Sequence, residues 1–240
     1  MVTEKHPYRI FFIIITSVLF FSTCSNSKNQ DSNFYIVGKM KDVMWKGKLG
    51  GIISLDTIKN KNGLYGLGPQ EFLKGELLIN NGVTYVSKVT SDSTMSVQKT
   101  NTVAAPFFVY TNIENWVKVI LPNNIKTIKD LETFITGKTK HLKNPFAYKV
   151  IGKVKEAKIH VQNLPEGSSV SSPKEAHIGQ TNYQVFDTDC TIIGVYSENH
   201  KGVFTHHDTN AHMHLLTNDE TKMGHLDNLV IDKMNLFLPK

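Results

Sequence analysis

The sequence predicts an α+β protein of two packed halves, built on mainly antiparallel or mixed β-sheet with few helices. Three observations point there. An Asn-Gly dipeptide joins two apolar runs near residue 80, a capped amphipathic segment starts at Thr127, and alternating segments fill most of the chain beyond Ala147. The 240 residues are 40% hydrophobic and 20% charged, which suffices for a core without disulfide staples.

Lys5 and Arg9 precede the apolar run Ile10 to Phe21, which Ser22-Thr23-Cys24 closes. Such a run is too short to cross a bilayer as a helix and suits a secretory signal. A cysteine after small residues resembles a bacterial lipoprotein signal over residues 1–24, with Cys24 as the lipidated first residue of the mature chain. The protein is then expected at the cell envelope, periplasmic or on the outer membrane, with its N-terminal lipid in the membrane. Removing residues 1–24 leaves 25 basic and 20 acidic side chains, a net charge of +5, and Arg9 is the sole arginine of the sequence. The remaining lysines are scattered and not interleaved with aromatics, so no nucleic-acid partner is expected. Cys190 is then the single thiol, so no intramolecular disulfide is available.

Residues 25–33, rich in Ser and Asn, read as a flexible tether, and 34–240 as the folded part. Phe34 to Val37 has strand character. Glycines 47, 50 and 51 predict turns from Met44 to Leu55, with a short helix near Ile52 to Ile58. Gly75 to Val89 is a hairpin about Asn80-Asn81-Gly82. Thr127 and Asp130 form a capping box, and Ile128, Leu131, Phe134 and Ile135 share one face of a helix to His141. Ala147 to Val161 reads as two strands around Gly152, Glu166 to Pro173 as an exposed loop, and the chain beyond Thr191 as strand, turn, strand.

Six of the ten histidines lie between residues 200 and 225. His212 and His214, two apart in an apolar strand, share a face of the sheet. A hairpin symmetric about Asp219-Glu220 sets His214 opposite His225 and His212 opposite Asp227, a candidate partner for it. Cross-strand Cβ atoms stand about 4.5–5.5 Å apart, close enough for imidazoles to share one ion. Three histidines with a fourth position open is the arrangement of a catalytic zinc, so His212, His214 and His225 are the candidate ligands of Zn2+. His206 and His207 are expected at the rim, and His200 at the surface.

Ala211-His-Met-His-Leu-Leu followed by Gly224-His225 resembles the metal motif of the acetolactate decarboxylase family. The run Gly66 to Gly82, the run Asn144 to Val154 and Thr191-Ile-Ile-Gly-Val-Tyr resemble that family in order and spacing, from about residue 34 onward. The resemblance implies that family's fold, in halves of about 34–143 and 144–240, and a possible homodimer. It also implies zinc-dependent decarboxylation of 2-acetolactate, or a related 2-hydroxy-3-keto acid, to acetoin. Glu76 matches the glutamate that reaches the family's site and is the candidate catalytic residue.

The sequence departs from the family pattern at several points. The family's arginine position, eight residues after Gly152, is His160. Alternation puts Glu156, Lys158 and His160 on one face, so Lys158 and His160 are the candidate substrate contacts, neither offering a bidentate fork. Pro69 stands where the family has threonine, and the sequence ends at Lys240, before the tail that carries a further family glutamate. Two alternatives therefore stand beside the decarboxylase: a different metal-dependent enzyme on the same scaffold, and a non-catalytic envelope lipoprotein that holds metal or a small anion.

Overall fold

The computed structural model describes residues 1–3 and 33–240. The expected lipoprotein signal's apolar run, Cys24 and the tether up to residue 32 lie outside the described residues. In the first half of the chain the elements are β1 (Tyr35–Val37), α1 (Met40–Lys46), β2 (Ile53–Ser54), β3 (Leu64–Pro69), β4 (Glu76–Asn80), β5 (Val83–Val89), β6 (Met95–Lys99), β7 (Ala104–Ala105), β8 (Phe108–Asn112), β9 (Trp116–Ile120) and α2 (Ile128–Lys138). The second half supplies β10 (Phe146–Val161), α3 (Pro173–Ala176), β11 (Thr181–Tyr196), β12 (Ala211–Thr217) and β13 (Met223–Pro239).

Two main antiparallel sheets result. The first runs β1-β8-β3-β4-β5-β6, and the second runs β10-β11-β12-β13-β9. Because β10 also pairs with β13, four strands of the second sheet close into a ring. Strand β9, from the first half of the chain, adds to that sheet through β13. Tyr65, Leu67, Leu78 and Tyr85 of the first sheet pack against Ile193, Val195, Leu216 and Met223 of the second, forming an apolar layer between them.

The local signals act as their chemistry dictates. Asn81 and Gly82 both take positive φ, 50° and 84°, as a two-residue hairpin turn of the primed kind requires. Thr127 and Asp130 form the reciprocal capping box of α2, which buries Leu131 and Ile135. Each such burial stabilises the fold by about 1.5–3 kcal/mol.

Two expectations are corrected. Gly152 does not separate two strands, because β10 is continuous over 16 residues. Gly152 pairs with both Cys190 and Met234 at φ 143°, and a Cβ there would lie 2.2 Å from the Lys233 carbonyl oxygen. The glycine lets β10 approach β13 inside the ring. Secondly, the turns expected from Met44 begin with the end of a helix, α1, which buries Met40, Val43 and Met44 and stops at Gly47 with φ 61°.

Candidate metal centre

The β12–β13 hairpin pairs His214 with His225, Leu215 with Gly224 and Leu216 with Met223. His212 lies two residues before His214 on the same face, so three imidazoles converge. Their ring centroids are 4.8 to 5.6 Å apart. One ring nitrogen from each lies within 4.8 Å of the other two. Gly224 makes room beside them, since a Cβ there would lie 2.5 Å from the His160 carbonyl oxygen.

These residues fit a divalent ion. His214 is fully buried, and its Nε2 has no hydrogen-bond partner. The nearest carboxylate oxygen, Glu76 Oε2, stands 3.6 Å away, beyond hydrogen-bond length. An orphaned buried polar atom costs about 1–3 kcal/mol, a penalty that a cation would remove. Burial holds all three imidazoles below their usual pKa, with neighbouring histidines adding to the effect. They are therefore neutral, the form that ligates metal.

Glu76 opens β4 and pairs with Pro69 of β3, so it reaches the histidines from the opposite sheet. It is only 3% exposed. Burial pushes its carboxyl well above the usual range, against the lowering effect of the Gln162 backbone N–H. The charge of Asp227 pushes in the same direction as burial. Around this group, Met40, Met44, Leu73 and Phe107 make an apolar wall, while His160, Gln162, His177 and His206 complete the pocket.

His160 of β10 is the cross-strand partner of His225, so His214, His225 and His160 form a row across three adjacent strands. Lys158 does not line the pocket. The β10–β11 ladder runs without a shift from Glu156 to Val161, so Lys158 keeps its alternation with His160 and stays outside the pocket because it stands two residues further along the strand. Asp227 is also not opposite His212. The β12–β13 ladder ends at His214–His225, and Asp227 Oδ1 instead meets His160 Nδ1 at 2.8 Å. His206 lines the pocket and His207 is exposed. His200, expected at the surface, is half-buried, bonds Ser197 Oγ at 2.7 Å and stacks on Phe204.

Sequence reasoning missed His177 and Gln162. His177 caps the four-residue α3, which carries no periodic signal. Gln162 follows His160 by two residues, and extending the strand alternation past Val161 would have placed it beside the site.

Comparison with known proteins agrees with this geometry. The chain is 26% identical over 193 residues to alpha-acetolactate decarboxylase of Brevibacillus brevis, covering 79% of this chain but 64% of that one. It is 26% identical over 179 residues to alpha-acetolactate decarboxylase of Lactococcus lactis subsp. cremoris, covering 72% and 70%. The fold is that of alpha-acetolactate decarboxylase from Bacillus subtilis strain 168, with a TM-score of 0.69 at 22% identity over 86% of this chain and 85% of that one. Residues 34–239 match the family model "Alpha-acetolactate decarboxylase", and the chain therefore belongs to that family.

Proposed function

We propose that the protein is a zinc-dependent carboxy-lyase that converts 2-acetolactate, or a related 2-hydroxy-3-keto acid, to acetoin or its counterpart. The observation that carries this reading is the convergence of His212, His214 and His225, with the Glu76 carboxylate 3.6 Å from His214. Family membership supports it.

A divalent ion at this position would supply a Lewis acid for the adjacent keto and hydroxyl oxygens of such a substrate. His212, His214 and His225 would hold it through neutral ring nitrogens. The bond that breaks joins the carboxyl carbon to the carbinol carbon, and its electron pair passes towards the neighbouring keto group. One proton then returns to carbon, so carbon dioxide and the hydroxyketone account for every atom. Glu76, 3.6 Å from His214 Nε2, would orient the hydroxyl or deliver that proton. The wall of Met40, Met44, Leu73 and Phe107 gives the short aliphatic groups of such a substrate an apolar surface. His160, which also lines the pocket, is a further candidate substrate contact.

The test is acetoin formation from racemic acetolactate by zinc-loaded protein, beside His214→Ala. Turnover that is lost in the variant supports the reading. Bound zinc with no carbon dioxide released from a panel of 2-hydroxy-3-keto acids contradicts it.

A second reading is a closed, non-catalytic metal site. It is favoured by His206, whose ring lies 5.5 Å from His225 and 6.5 Å from His212. Four protein ligands and no exchangeable water, seen by X-ray absorption at the zinc edge, would support this alternative.

We also propose that Cys24 carries a lipid that holds the protein at the cell envelope, motivated by the apolar run that it closes. Incorporation of a labelled lipid precursor should be lost in Cys24→Ala. An unlabelled wild-type protein would remove the anchor.

A further inference from the structure

The ladder between β10 and β13 contains a defect beside the metal centre. Lys158 pairs with Asn228, yet the next residue, Ile159, pairs with Leu226, and His160 pairs with His225. One residue of β13, Asp227, is skipped. An extra residue in one strand of an antiparallel pair is a β-bulge, which bends the strand and re-aims a side chain. Here the re-aimed side chain is the Asp227 carboxylate, whose Oδ1 lies 2.8 Å from His160 Nδ1. The imidazole is 9% exposed and the carboxylate 27%, so the bond is screened from water on the histidine side.

An ionised carboxylate only accepts hydrogen bonds, so the bond requires a proton on His160 Nδ1. The histidine is then fixed in one tautomer and one ring orientation. Its remaining nitrogen, Nε2, is left for the pocket that His160 lines. Two further imidazoles neighbour the ring, His225 at 4.6 Å and His177 at 6.3 Å by centroid.

We propose that Asp227 is a positioning residue that holds the His160 imidazole in its Nδ1–H tautomer and so presents a bare Nε2 as the acceptor for the hydroxyl O–H of a 2-hydroxy acid. The ligand class rests on the function proposed above, while the positioning of the ring does not. The rival use of the same atoms is a second cation site, since His160, His225 and Asp227 also bring donor atoms within 4.8 Å of one another. Two features oppose it: the nitrogen–oxygen separation is that of a hydrogen bond, and His225 already belongs to the three-histidine set.

The test is long-range proton–nitrogen NMR on histidine-labelled, zinc-loaded protein. It is combined with calorimetric binding of 2-hydroxyisobutyrate, a carboxylate with a tertiary hydroxyl and no keto group to react. Wild type is expected to show the Nδ1–H tautomer at His160. Asp227→Ala should lose it and bind the probe about five- to tenfold more weakly, the effect of losing one hydrogen bond from the probe's hydroxyl. Asp227→Asn, which can still accept through its amide oxygen, should restore both, and every form should keep one equivalent of zinc. An Nε2–H tautomer at His160 in wild type would overturn the proposal without any variant being made. A second zinc equivalent that disappears in Asp227→Ala, or unchanged probe affinity once the tautomer is lost, would overturn it as well. Absence of acetoin formation with the tautomer results intact would remove only the decarboxylase reading.

Discussion

His214 on β12 is the direct cross-strand partner of His225 on β13, and the Glu76 carboxylate of the other sheet stands 3.6 Å from the same His214 imidazole. The candidate centre is thus assembled from both sheets, with the histidines fixed by a hairpin and the acid brought by the packing of one sheet on the other.

Metal removal should therefore be felt by the whole fold. An ion bound by the native state alone stabilises it by about 4 kcal/mol at a thousandfold excess over its Kd. Thermal unfolding of the apoprotein is expected to shift upward on titration with zinc, and His214→Ala should abolish the shift. An apoprotein whose Tm ignores zinc would show that the three histidines do not act together.

Glu76→Gln keeps the shape of the buried side chain and removes its acid proton. The variant is expected to retain one equivalent of zinc and to lose acetoin formation by about 10²–10⁴-fold, the range for a general acid or base. Full activity in this variant would take Glu76 out of the chemistry.

Gly224 lies where a Cβ would come within 2.5 Å of the His160 carbonyl oxygen. Because that contact is to backbone, Gly224→Ala must push β10 away from β13 beside His225. Denaturant unfolding should show a loss of about 1–3 kcal/mol, together with weaker zinc binding. An unchanged midpoint would mean that the ring of strands yields at no cost.

Cys190 tests the C-terminal core. Burial, reinforced by the charge of Asp189, pushes its thiol up to about 12. The folded state thus disfavours the thiolate, which the unfolded chain forms above about pH 8.5. Its contribution to stability is intact below that pH and is lost as pH rises towards 12. Stability measured from pH 8 to 10.5 should fall more steeply in wild type than in Cys190→Ala. Parallel profiles would contradict the buried thiol.

What was legible in the sequence was local. The Asn81-Gly82 turn, the Thr127–Asp130 cap and the His214–His225 register are each set by residues within one hairpin or one helical turn. What escaped was set across the molecule. Gly152 looked like a break because its role, the close approach of β10 to β13, depends on a strand about 80 residues further along the chain. The Asp227–His160 bond depends on a bulge in β13, a one-residue slip that no alternation pattern announces. Lys158 stays outside the pocket because a shared face does not bring a residue two positions along the strand to the same site. The placement of Glu76 against His214 was carried by resemblance alone, since the contact joins two sheets that share no local sequence.

The most direct test of the account is acetoin formation from racemic acetolactate by zinc-loaded protein, measured with metal content beside His214→Ala. The account predicts one equivalent of zinc and clear turnover in wild type, both lost in the variant. Turnover that persists in metal-free His214→Ala, or one bound zinc with no carbon dioxide released, would contradict it.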